Sequence, residues 1–191
     1  MSELIGRPIW WVYHLPYWLQ VVCLVFVASW TALLLHELGH ALVARALGVR
    51  VWSVTLGRGP RLWSGTLFGT RLHVGLLPLH GEVSLHDEDA GALGYRNMHR
   101  TDWSFEWRNG SSWRAPVITL AGSLANLFAA GAVALYWLLM PRLTPPTFAL
   151  FAMCFVVNLT MYLNLAPIRG LDGWRVAVQA YAWRRQAGCA A

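Results

Sequence analysis

YWLQVVCLVFVASWTALLLHELGHALVA, residues 17–44, decides the fold class. These twenty-eight residues would run about 42 Å as an α-helix. The hydrocarbon core of a bilayer is about 30 Å thick, so a helix of this length crosses it with a tilt or projects beyond it. The apolar part is too long for the core of a secretory signal, and cleavage near its end would discard or expose His36, Glu37 and His40. Ionisable groups such as these three are costly at membrane depth and are functional candidates there by default. Positions i and i+4 share one helix face about 6 Å apart along the axis. His36 and His40 can therefore grip one metal ion. Glu37 points about 100° away around the helix, close enough to reach a water held by that metal.

The pattern HExxH, here HELGH at 36–40, is the zinc metalloprotease signature for this geometric reason. The bland alternative is a pair of hydrogen-bonded histidines near a membrane surface, and the apolar setting weighs against it. With 191 residues, a mean hydropathy of +0.43 and 57% hydrophobic residues, the chain is read as one membrane domain with no large soluble one. All 15 basic residues are arginine, and the net charge is +6. In an apolar chain this charge reads as arginine in cytoplasmic loops and at headgroup level rather than as a nucleic-acid surface, so no nucleic-acid partner is expected. Cys23, Cys154 and Cys189 show no CxxC spacing, so neither disulfides nor cysteine ligands are expected. Tryptophans at 10, 11, 18, 103, 107, 113 and 174 flank the apolar runs, as interfacial belts do.

Two further uncharged runs, 116–140 and 147–167, are spanning candidates, separated by a turn holding Pro141, Pro145 and Pro146. From Arg50 to Arg114 there are eight arginines against six acids, whereas the turn at 141–146 has Arg142 alone and the C-terminal tail has Arg169, Arg175, Arg184 and Arg185. The positive-inside rule then puts the 50–114 loop and the C-terminus in the cytoplasm and the N-terminus outside, with the metal motif near the cytoplasmic face. Within the loop, VRVWSVTL reads as a strand ending at Gly57-Arg58-Gly59-Pro60, and TRLHVGLLPL as a second. Glu82 to Leu85 reads as a short third strand, giving a β region over about 50–85. Residues 87–113 are a loop or a surface helix. The segment 173–186 is a short interfacial helix or a frayed tail, with Trp174, Val178 and Tyr181 able to share a face. The fold class is a mainly α membrane protein with three transmembrane helices and a small β-hairpin region.

A zinc site needs a third protein ligand, and a catalytic one keeps a position for water. Asp172 is the candidate. It stands in NLAPIRGLDG, 164–173, where the third span ends. Pro167 stops the helix, and Gly170 and Gly173 let the chain turn. Taken alone, Asp172 reads as a helix N-cap, but it lies at the depth inferred for His36 and His40. His73, His80 and His86 are rival ligands on the cytoplasmic loop.

Together these motifs resemble the site-2 protease family of intramembrane zinc metalloproteases. The family carries HExxH in one membrane helix and an Asn-x-x-Pro-x-Pro-x-x-Asp-Gly-type motif in a later one. Here these are 36–40 and 164–173. The family's Ala-Gly-Pro-x-x-Asn element is similar to Ala121-Gly122-Ser123-Leu124-Ala125-Asn126. VRVWSVTLGRGPRLW and LLPLHGEV are similar to its membrane-associated β-hairpin. Ser123 and Arg169 stand where the family usually has proline, and His80 where it has glycine. No PDZ-like or CBS-like domain fits, so the chain is expected to be a minimal core.

The resemblance implies one catalytic zinc ion held by His36, His40 and Asp172, Glu37 as general base, and a transmembrane protein substrate within the lipid bilayer of a bacterial inner membrane. Asn126 is either a donor to the oxyanion or substrate backbone, or helix–helix glue beside Gly122. Asn164 matches the family motif as a second tentative substrate contact; Asn158 reads as packing. A substrate helix must unwind to be cut, because its amides are already bonded. An edge strand of the 50–85 region, with Val54 and Val74 as probes, is expected to hold the unwound segment. Two functions stay in view: an active intramembrane protease, and a catalytically silent relative acting as a binding or scaffold module. A metal transporter is disfavoured because the second and third spans contain no ionisable residue.

Overall fold

The computed structural model describes residues 12, 14–86, 112–139, 145–169 and 171–189. Along the chain come α1 (Tyr17–Ala46), β1 (Val51–Leu67), β2 (Thr70–Leu85), α2 (Arg114–Leu139), α3 (Pro145–Met161), a 3-10 turn (Tyr162–Leu165) and α4 (Asp172–Cys189). The segments Tyr17–Ala46, Arg114–Leu139 and Thr147–Leu165 are long and apolar enough to cross a membrane. Their ends agree with the expected spans to within two residues. The expectations for the 141–144 turn and for 87–111 lie outside the described residues. The C-terminal segment is helical, as one of its two readings has it.

The end of α1 is set by glycine. Gly48 adopts φ 76°, the left-handed conformation that glycine enters without strain. There the Gly48 amide donates to Arg45 O (3.0 Å) and the Val49 amide to Ala44 O (2.9 Å). This pair of bonds is the Schellman termination, which satisfies carbonyls that the helix leaves open. It also turns the chain directly into β1.

The hairpin departs from the expected strand limits. The sequence Gly57-Arg58-Gly59-Pro60 does not end a strand. Gly57 (φ 81°) and Gly59 (φ 91°) bend β1, and the strand continues to Leu67. The true turn is Phe68-Gly69, both with positive φ (48° and 77°), the two-residue pattern that suits strand twist. Arg45, in the last turn of α1, holds that turn by donating to Phe68 O (2.8 Å) and Thr70 Oγ1 (2.6 Å). The pairing is antiparallel and folds back on itself. Val54 faces both Val83 and Leu72, and Leu56 faces both Gly81 and Val74. Glu82 to Leu85 is therefore the end of β2, not a third strand.

The core sits where the end of α1, the root of the hairpin and the start of α2 meet. Ala44, Val49, Val51, Val54, Leu56, Ala115 and Ile118 are buried there, with Trp30, Leu72 and Val83 packed against them. Further along, α1 and α2 approach closely through small residues. A Cβ on Gly39 would lie 2.7 Å from Ala121 O and 2.8 Å from the Ala125 Cβ, the type of contact that lets membrane helices pack without a hydrophobic drive.

Candidate metal centre

His36 and His40 lie one turn apart on α1, and both rings face α2 and the start of α4. His36 Nε2 is 3.2 Å from His40 Nε2. Asp172, the first residue of α4, brings Oδ2 to 3.1 Å from His36 Nε2 and 3.7 Å from His40 Nε2. These three side chains form a group that could hold a metal ion. The fit can be tested by size. Tetrahedral ligands at zinc bond lengths of about 2.0–2.1 Å lie about 3.3 Å from one another. The observed edges of 3.1, 3.2 and 3.7 Å bracket that value. Two neutral imidazoles and a carboxylate are also ligands that zinc accepts, three protein donors leaving a fourth position open.

Each of these side chains is held from behind. His40 Nδ1 lies 2.7 Å from the Ile118 carbonyl, so that nitrogen donates and Nε2 is left for a metal. Gly122 of α2 touches the same ring, and a Cβ there would run into it. Asp172 turns Oδ1 toward Arg175 Nη1 at 3.8 Å, three residues along α4. Gly173 packs against the Leu165 and Ala166 carbonyls with no room for a side chain, which fixes where α4 begins. Further along, α4 is tied down by Thr119, which donates to Gln179 Oε1 across the α2–α4 contact at 3.0 Å, both side chains buried. Burial alone would raise the Asp172 carboxyl. The two imidazoles beside it, His36 and His40, outweigh burial and hold the group well below the usual carboxylate range.

Glu37 is buried, with its carboxylate against β2 at Gly81, where a Cβ would overlap it. The rival histidines do not join the cluster. His80 is exposed and faces Glu82 at 4.0 Å. His86 packs edge-on against Trp52, and His73 lies in β2.

Among the asparagines, Asn126 is fully buried with its amide 3.4 Å from His36 Nδ1. Asn158 donates to Cys154 O at 2.8 Å, which fits its packing role. Asn164 lies half-buried in the 3-10 turn, and no hydrogen bond joins it to the cluster among the described residues. The reading of the sequence missed Ile118, Arg175 and the Thr119–Gln179 pair. A backbone carbonyl leaves no mark in a sequence, but Arg175 and Gln179 at spacings of three and seven from Asp172 form one helical stripe that could have been noticed.

Residues 24–146 match the model of peptidase family M50. The chain belongs to that family, the site-2 proteases. The match contains His36, Glu37, His40 and Asn126, and Asp172 lies beyond it. Among individual M50 relatives, Protease RseP of Yersinia pestis is 34% identical over 113 residues, covering 59% of this chain and 24% of that protein. Regulator of sigma-E protease RseP of Escherichia coli is 35% identical over the same length, with the same coverage. A Helicobacter pylori protein whose name includes "zinc metalloprotease" is 46% identical over 54 residues, 28% of this chain and 15% of that protein. The chain thus spans about a quarter of the length of the RseP relatives.

Proposed function

We propose that this M50 chain is an intramembrane zinc metalloendopeptidase that hydrolyses a peptide bond in or near a transmembrane segment of a membrane protein. One observation carries the reading: Nε2 of His36, Nε2 of His40 and Oδ2 of Asp172 converge within 3.1 to 3.7 Å at one end of helices apolar enough to cross a bilayer. In this reading His36, His40 and Asp172 hold one zinc ion. Bound zinc supplies a Lewis acid for the scissile carbonyl and brings water toward ionisation near neutral pH. Glu37, adjacent on the same helix, takes the proton of the attacking water and passes it to the leaving amine. Asn164, which matches the family motif, contacts the substrate in this reading.

The substrate segment enters unwound, since the amides of an intact helix are already bonded to one another. It adds to the outer edge of β2 near Gly81, which supports the reading by lying against Glu37. The arginine-rich 50–114 loop and C-terminal tail favour a cytoplasmic site with the N-terminus outside, in a bacterial inner membrane. The domain is the single peptidase unit 1–191.

Glu37→Gln tests the assignment. Removal of a general base costs about 10²–10⁴-fold. The variant should keep zinc yet fail to cut a co-expressed single-span substrate that the parent cuts. Unimpaired cleavage by Glu37→Gln would remove Glu37 from the chemistry. If the parent chain binds zinc but cuts none of the membrane proteins retained by Glu37→Gln, a silent binding module is the better description.

A further inference from the structure

Asn126 is completely buried and lies directly behind His36. Its Nδ2 is 3.4 Å from His36 Nδ1. Its Oδ1 has no hydrogen-bond partner among the described residues. On the other side of the same ring, Nε2 faces Asp172 and His40. A histidine that offers Nε2 to a metal carries its proton on Nδ1. That N–H cannot accept a bond from an amide NH2; it needs an oxygen. An asparagine amide turned by 180° exchanges its nitrogen for its oxygen at nearly the same place, and the two are told apart only by the hydrogen-bond network. In the turned orientation the orphan oxygen and the ring N–H satisfy one another. The sister ligand already shows this arrangement, since His40 Nδ1 meets the Ile118 carbonyl, an obligate acceptor, at 2.7 Å.

We infer that Asn126 is the positioning residue of His36: its Oδ1 accepts the Nδ1–H, fixes the ring's tautomer and aims Nε2 at the metal. Both ring nitrogens facing α2 then end on oxygens of α2, one from backbone and one from a side chain. The amide is committed to the imidazole, so it is not the oxyanion donor that the resemblance allowed. It is more than helix glue, because its polar atoms meet a ligand.

The inference rests on His36, His40 and Asp172 being the metal site, and the test separates the two. The full-length chain in detergent is titrated with Co²⁺ and Zn²⁺, with thermal unfolding as the folding control. The parent should bind one ion and His36→Ala should lose it; a parent that binds none, or a His36→Ala that binds like the parent, sinks the site itself. With that established, Asn126→Leu keeps the volume but offers no acceptor. Its metal affinity should fall about 10- to 100-fold, the usual effect of losing such a partner. Asn126→Asp offers an acceptor but no donor, and should bind within about threefold of the parent and still cleave.

An Asn126→Leu that binds as tightly as the parent overturns the inference. So does an Asn126→Asp that loses metal like His36→Ala. An Asn126→Asp that keeps metal but loses about 100-fold or more in cleavage assigns the amide to the oxyanion instead. Should Asn126→Leu fail to fold, the affinity and cleavage of Asn126→Asp decide alone.

Discussion

Two absent side chains make room for two different pieces of chemistry. At Gly122 a Cβ would run into the His40 ring, and at Gly81 one would overlap the Glu37 carboxylate. Neither glycine has a positive φ, so alanine suits the backbone at both and the effect of substitution is steric. Overpacking of this kind costs about 1–3 kcal/mol, or about one to two orders of magnitude in an equilibrium constant. Gly122→Ala should therefore lower zinc affinity by about that factor. Gly81→Ala should leave zinc in place and lower the turnover rate by about 10²-fold or more, because it moves the base. Isothermal titration and single-turnover cleavage separate the two, and a Gly81→Ala that turned over like the parent would show that Glu37 tolerates displacement. The pair of candidate histidines is legible in the sequence because a one-turn spacing is a local fact. The groups behind each ring are not, because Gly122, Ile118 and Asn126 acquire meaning only when α2 is laid against α1.

At the scale of elements, the sequence locates the strands but not their limits and edges. Valine-rich runs read correctly as β structure, whereas Gly57 to Pro60 reads as a stop and is instead a bend within β1. Edge status depends on register, and register is a tertiary outcome. Val54 and Val74 are natural probes of strand addition by sequence, yet each already faces two partners, Val83 and Leu72 for the first and Leu56 and Trp63 for the second. The stretch 82–84 faces β1 alone, at Ser53, Val54 and Thr55, and comes directly after Gly81. Successive amides of a strand point to opposite edges, so a proline scan of Glu82, Val83 and Ser84 should find a position where an outward donor is lost. Loss of one such bond is worth about 1 kcal/mol, which is about fivefold in kcat/KM, with zinc content unchanged. If all three prolines leave cleavage at the parent rate, the substrate does not pair with this edge.

For the molecule as a whole, the position of the metal site along α1 joins its chemistry to its place in the membrane. His40 lies six residues before the end of α1 at Ala46, about 9 Å along the helix axis. Beyond that end come the hairpin, whose turn Arg45 clamps, and the arginine-rich stretch to Arg114. In the proposed orientation, which rests on the arginine asymmetry, this end would face the cytoplasm and water and ions would reach the site from that side. Exposed apolar side chains such as Phe128, Leu138 and Leu163 provide the lipid-facing surface of the spans. A membrane-impermeant chelator should therefore strip zinc and stop cleavage in inverted inner-membrane vesicles, while leaving sealed right-side-out vesicles active over the same period. Protease added to inverted vesicles should remove a C-terminal tag and spare an N-terminal one. Reversal of both results would turn the chain over in the bilayer, whereas inactivation from both sides would show that the site opens to both compartments and that the depth of His36 and His40 does not set its access.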